Sequence, residues 1–174
     1  MLKGRVLVVE DHEGWHRSLA RRIDRAGFAM RGAYTCEQAC KLIASEPFDL
    51  AIIDVHLPDG RGFELVPLVK QHNRESRVLV ASGLPCVKAE RLAMDAGADR
   101  FAVSTAENIE HFLHGDAPQS AAHVRAPTLD EVETDYVNSV LLDVRGNRSA
   151  AAEVLGIRRQ SLQRMLRKTA PPRE

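Results

Sequence analysis

The chain has no net charge: 24 Lys and Arg offset 24 Asp and Glu across 174 residues. A nucleic-acid partner must then be met by a local basic surface, not by the field of the whole molecule. Cysteine is scarce and odd in number, three in all, which excludes a disulfide framework and fits a reducing compartment. No apolar run approaches the roughly 20 residues that span a bilayer. The opening MLKGRVLVVEDHEG is apolar but runs into acids without a small-residue cleavage site, so it is not read as a signal peptide, and the expected location is the cytoplasm. There is no internal repeat and no low-complexity tract.

What remains is an ordinary globular composition, 44% hydrophobic and 28% charged, long enough for one domain with a small appendage. Short apolar runs bounded by turn residues recur at 6–9, 50–53, 78–81 and 101–103, with a weaker candidate at 28–34. Such runs predict strands buried on both faces, hence a parallel sheet. Helical patterns fill the gaps: 13–26 closed by Gly27, 36–45, 62–73, 86–96 closed by Gly97, and 106–114. Thr35 with Gln38 and Ser104 with Glu107 read as capping boxes, and Pro67 predicts a kink in the third helix. The alternation gives an α/β doubly wound domain over 1–114.

In an open parallel sheet, functional groups gather beyond the carboxyl ends of the strands. Strand one ends in VVED and strand three in IIDVHLPDG, so Glu10, Asp11 and Asp54 should meet in one pocket. Crowded carboxylates repel, and a hard divalent cation such as Mg²⁺ resolves that repulsion while leaving positions for a phosphoryl oxygen. Asp54 then becomes a carboxylate nucleophile able to form an aspartyl phosphate. The competing reading is solvated acids at strand ends.

These residues make 4–114 resemble the receiver domain of two-component response regulators. The resemblance implies a five-stranded sheet of order 2-1-3-4-5 flanked by five helices. It implies Mg²⁺ held by Asp11, Asp54 and the His56 carbonyl, with Glu10 assisting through water. Ser82 would bond a phosphoryl oxygen, Phe101 would change rotamer on activation, and Gly97 falls at a family position. A sensor histidine kinase is the implied phosphate source. One departure stands out: where the family carries a lysine followed by proline, this chain has Ser104 and Thr105. A serine hydroxyl donates one hydrogen bond but brings no charge, and charge-assisted bonds are about twice as strong as neutral ones. Two readings of Ser104 stand open: weakened phosphorylation, with Lys88 or Arg100 reaching in, or a helix cap in a site no longer used for switching.

Other chemistry-bearing residues have plainer explanations. His12 and His16 lie four apart on the first helix and are expected to be a satisfied or exposed surface pair, not a metal site. Cys36 and Cys40 are expected to be small buried residues, and Cys86 sits in a loop near Ser82; a redox switch is the rival reading. Trp15 should pack at the start of the first helix.

After His114, residues 115–127 read as a linker. Thr128 and Glu131 form a third capping box and launch a helix with Leu129, Val132, Tyr136, Val137, Val140, Leu141 and Val144 on one stripe. Residues 147–168 then read as helix, glycine turn, helix, with Leu162, Met165 and Leu166 inward. Between 158 and 168 there are five basic residues and no acid. On the second helix of this motif such a face suits phosphates and base edges of double-stranded DNA. Residues 128–170 resemble the Fis-type helix-turn-helix, and the whole chain resembles the compact response regulators of the RegA/PrrA/ActR group, associated with redox-responsive transcription. The resemblance implies DNA contacts from Arg159, Ser161, Gln163 and Arg164, while Arg158, Arg167 and Lys168 complete the basic face. A helical domain of 47 residues (128–174) rarely builds a sufficient core alone, so the stripe is expected to pair with its copy in a homodimer. The expected function is a non-enzymatic DNA-binding transcription regulator with an atypical receiver. The alternative is a phospho-accepting module that acts through protein partners without DNA.

Overall fold

The structure is a computed structural model and describes residues 3–83, 86–115 and 128–169. Its strands are β1 (Arg5–Val9), β2 (Ala29–Ala33), β3 (Leu50–Asp54), the two-residue strands β4 (His56–Leu57) and β5 (Gly60–Arg61), β6 (Arg77–Ser82) and β7 (Arg100–Val103). Five of them form one parallel sheet in the order β2-β1-β3-β6-β7. Counting sheet strands alone, this is the expected order 2-1-3-4-5. The β4–β5 pair is a separate antiparallel hairpin that the sequence reading missed. Its residues include Pro58, Asp59 and Gly60, a turn composition too short to show alternation.

Period-two alternation sorts the side chains onto two faces. Leu7, Val9, Ala51, Ile53, Val78 and Val80 pack with Ala39 and Ile43 of α2 (Cys36–Ser45), Val66 and Val69 of α3 (Val66–His72), and Ala89 and Ala93 of α4 (Val87–Asp95). On the other face Val6, Val8, Leu50, Ile52 and Leu79 pack with Leu19 and Ile23 of α1 (Glu13–Arg25) and with Ile109 and Phe112 of α5 (Ala106–His114). Each buried Val, Leu, Ile or Phe among these stabilises the fold by about 1.5–3 kcal/mol, which makes the central strands its most secure part.

The helix ends follow local chemistry, with two corrections. Residues 62–65 form a 3-10 turn and α3 starts at Val66, so Pro67 lies in the first helical turn and makes no kink. There its missing N–H was unpartnered in any case. Thr105, not Ser104, caps α5, its hydroxyl accepting from the Asn108 N–H at 3.3 Å. Thr35 caps α2 as expected, although Gln38 reaches back to the Tyr34 N–H instead of completing the box on Thr35.

The tail forms α6 (Leu129–Asp143), α7 (Arg148–Val154) and α8 (Arg159–Thr169). The Thr128–Glu131 capping box opens α6 in full. Arg145 and Gly146 end that helix with φ of 53° and 76°, and Gly156 turns α7 into α8 at φ 65°. Arg145 is the one non-glycine residue with positive φ among the described residues, a placement that costs about 1–2 kcal/mol. Val137, Val140 and Leu141 are buried against Ala151, Ala152, Leu162 and Leu166. The α6 stripe is therefore largely covered within one protomer, and of its members Leu129, Val132 and Tyr136 remain exposed. Leu142, next to the stripe, is fully buried but joins the α2/α3/α4 side of the sheet's core.

Gly62 connects this fold to the pocket. A Cβ there would lie 1.9 Å from the Asp54 carbonyl oxygen and 2.6 Å from Ile53. Gly62→Ala should destabilise the protein by about 1–3 kcal/mol in urea unfolding; an unchanged midpoint would show that this backbone approach is unimportant.

Candidate functional site: an acidic pocket and a basic helix

β1 and β3 are neighbours in register, Val9 opposite Ile53, so the residues that follow them emerge side by side. Glu10 is buried, Asp54 half-buried and Asp11 exposed, and one oxygen from each lies within 4.8 Å of the others. The expected convergence of the three acids is thus present. Glu10 is held by the His12 N–H at 3.0 Å, and His56 N–H approaches Asp54 Oδ1 at 3.5 Å. Burial pushes the Asp54 carboxyl up to about 8, with the Glu10 carboxylate the next cause and Asp11 a smaller one; backbone N–H groups of His56 and Val55 oppose the rise.

That donor set fits a small, hard dication: oxygen ligands only, with an electrostatic strain that a cation relieves. Receiver domains bind Mg²⁺ at such an acidic pocket. Around it, Ser82 ends β6 fully buried, and Ser104 follows β7 with its N–H donating to the Ser82 carbonyl at 2.9 Å. Phe101 is half-buried on β7. The hairpin is fastened from outside by Asp59, whose carboxylate accepts from the Cys36 and Glu37 N–H groups at 2.8 and 2.9 Å and is held below the usual carboxylate range by those bonds.

The cations considered as lysine substitutes lie elsewhere. Lys88 pairs with Asp143 on α6 at 2.5 Å. Arg100 begins β7, opposite Leu79, at the strand end remote from the acids.

The histidine pair is split, with His12 exposed and satisfied as expected and His16 buried. His12 caps α1, its Nδ1 accepting from the Trp15 N–H at 3.2 Å. His16 is buried, stacked on Tyr34 at 4.6 Å between ring centroids, with Gly32 beneath it leaving no room for a side chain. Burial lowers its pKa. Trp15 packs partly against the α1/α5 side of the core. Among the cysteines, Cys36 is half-buried and Cys40 exposed, contrary to expectation, because α2 turns them toward the hairpin and solvent. Cys36 is pushed up to about 12 by burial and then by Asp59, which is poor chemistry for a reactive thiol. Cys86 is buried and caps α4, its Sγ accepting from the Ala89 N–H at 3.3 Å.

The second candidate surface is α8. Leu162 and Leu166 anchor it, and Arg158, Arg159, Arg164 and Arg167 are exposed, with Ser161 and Gln163 half-exposed. Arg158 precedes the helix, its carbonyl accepting from the Ser161 N–H at 2.9 Å. The side chain of Lys168 lies outside the described residues. Gln160 shares the exposed side and was missed by sequence reasoning; the 3.6-residue period with Leu162 and Leu166 inward was the available signal.

Residues 6–113 match the family described as response regulator receiver domain, and residues 128–168 match bacterial regulatory protein, Fis family. The photosynthetic apparatus regulatory protein RegA of Cereibacter sphaeroides is 24% identical over 95% of this chain and 92% of its own length. The acid tolerance regulatory protein ActR of Rhizobium meliloti is 26% identical over 95% and 87%. A crystal structure of a response regulator protein from Burkholderia pseudomallei, with a phosphorylated aspartic acid, calcium ion and citrate, has 29% identity and a TM-score of 0.64, covering 92% of this chain and 96% of that one.

The raised Asp54 pKa has a defined sign. In the metal-free protein its folded value lies above its unfolded one, so its contribution to stability is full below about pH 4 and is lost as pH rises toward 8. Asp54→Asn should flatten that part of the stability profile measured by denaturant unfolding between pH 5 and 8, and Mg²⁺ added at about pH 7 should release protons, seen as a buffer-dependent binding heat. Identical profiles for the two proteins would contradict the assignment.

Proposed function

Because this chain belongs to the response regulator receiver family and carries a Fis-type helix-turn-helix, we propose that it is a dimeric transcription regulator whose Asp54 accepts a phosphoryl group but whose grip on DNA depends only weakly on that event. It is a DNA-binding transcription regulator, a non-enzymatic member of the family to which RegA and ActR belong. The finer statements are ours. They rest above all on one observation: three carboxylates converge at the sheet's carboxyl edge, while the residue after β7 is a serine.

In this proposal residues 1–114 are the receiver, 115–127 the linker and 128–174 the DNA-binding domain. Asp11, Asp54 and the His56 carbonyl hold Mg²⁺, with Glu10 assisting. The ion supplies charge neutralisation that lets an anionic phosphodonor approach an acidic pocket. Asp54 is the nucleophile, and Ser82 donates a hydrogen bond to the phosphoryl oxygen. The match to a structure with phosphorylated aspartate and calcium supports this chemistry. Ser104 stands at the family's lysine position, so the phosphoryl group lacks one charge-assisted bond there. Phe101 then has a weaker cue to move. A sensor histidine kinase is the donor, and the protein acts in the cytoplasm where its DNA is; no helix among the described residues is long and apolar enough to cross a membrane.

Leu129, Val132 and Tyr136 are exposed in a row on α6, and we assign them to the two-fold contact with a second copy. A receiver dimer is known in the 29% identical NtrC4 receiver, which supports pairing without fixing this surface. Two recognition helices about 34 Å apart would read successive major grooves of a near-palindromic site. Arg159, Ser161, Gln163 and Arg164 face base edges, while Arg158, Arg167 and Lys168 meet phosphates.

Intact-mass measurement after incubation with a small phosphodonor and Mg²⁺ should show one added phosphoryl group that Asp54→Asn abolishes. Operator affinity should then rise by less than about fivefold; a gain of a hundredfold lost in Asp54→Asn would overturn the weak-dependence claim. Arg164→Ala should lower DNA affinity by about tenfold or more and relax discrimination at one base pair, whereas Arg167→Ala should cut the slope of log affinity against log salt by about 1.

A further inference from the structure

Two stretches of chain leave the acidic pocket, and both end on α6. Asp54 closes β3, and at the end of the hairpin that follows, the Arg61 guanidinium donates to the Leu142 carbonyl at 3.2 Å. Ser82 closes β6, and at the start of the next helix the Val87 N–H donates to the Asp135 carboxylate at 2.7 Å. Beside it Lys88 holds Asp143 at 2.5 Å. Between these ties the Leu142 side chain is fully buried in the same cluster as Leu57, Phe63, Cys86 and Ala89, residues of the two stretches and the helices they enter. A cleft of about 310 Å³ runs along this contact, lined by His56, Pro58, Arg61, Leu142 and Arg145 among others.

α6 thus touches the receiver by an apolar plug and polar ties to both segments that carry pocket residues. Leu142 shares one buried cluster with Leu57 of the hairpin and with Cys86 and Ala89 at the start of α4, so a loss of packing there is felt by both. Ordering those segments in advance removes part of the entropy lost when a ligand enters between them. After β7, the third route to the pocket, the residue is Ser104, whose side chain carries no charge.

We propose that α6 is a clamp on the receiver pocket: its docking through Leu142, Arg61, Val87 and Lys88 pre-orders the β4–β5 hairpin and the first turn of α4 for a cation and phosphoryl group. Leu142 and Lys88 are positioning residues, acting through the segments they hold. This rests on the assignment of the pocket to Mg²⁺ and phosphoryl binding. By linkage, pocket filling and α6 docking favour each other by the same factor, without help from residue 104.

The test is Mg²⁺ titration of the full chain, followed by calorimetry and by the fluorescence of Trp15, its single tryptophan. Leu142→Ala changes no charge and should raise the Mg²⁺ Kd by about fivefold or more, while Leu142→Met should stay within about twofold. Lys88→Ala is a surface change that keeps the variant set interpretable if Leu142→Ala folds poorly. Removing its positive charge should tighten Mg²⁺ binding by relieving Coulomb repulsion, whereas the clamp requires weaker binding. Kd values in Leu142→Ala or Lys88→Ala that are unchanged or lower, with normal binding by the parent protein, would overturn the clamp. No Mg²⁺ binding by the parent protein would instead overturn the pocket assignment, and the clamp with it.

Discussion

The mutual repulsion of three carboxylates is the constraint around which this molecule is organised. Parallel pairing of β1 and β3 leaves no choice about where Glu10, Asp11 and Asp54 emerge, and the apolar strands behind them withdraw solvent from Asp54. Burial first, and then repulsion from Glu10, makes ionising Asp54 unfavourable, so the pocket holds a proton on Asp54 well above the ordinary carboxylate range or takes up positive charge from outside. Either response changes the charge at one edge of the sheet. The neighbouring segments are those best placed to report it.

Those segments were only partly legible in the sequence. The three central strands and the acidic convergence follow from short apolar runs, two of which end in acids, because burial on both faces leaves a strong and local mark. The half-exposed β2 and β7 leave a weaker one, and the order of the sheet was implied only by the family resemblance. The hairpin at 56–61 left none, since two-residue strands have no period to read. Pro67 misled because a helix start looks like a helix interior when a 3-10 turn precedes it. Ser104 and Thr105 are interchangeable as capping residues on chemistry alone, and the backbone bond from Ser104 N–H to Ser82 decided between them.

The tail shows a different limit. A stripe of apolar residues on α6 says that the helix is buried somewhere but not by how many partners. Val137, Val140 and Leu141 serve the helical bundle, Leu142 serves the α/β core, and Leu129, Val132 and Tyr136 stay exposed. Adjacent leucines at 141 and 142 were the visible hint, because neighbours on a helix point about 100° apart and cannot share one core. The basic face of α8 was legible because the residues opposite it, Leu162 and Leu166, fix its phase.

The burial of Leu142 also has a practical side. An isolated receiver fragment ending at 114 would expose apolar surface that Leu142 covers, because that leucine is supplied by a segment beyond the cut. Comparisons between such a fragment and the intact chain would then mix the loss of a partner domain with an internal packing defect. The methyl groups that cover this part of the core belong to the chain's other half.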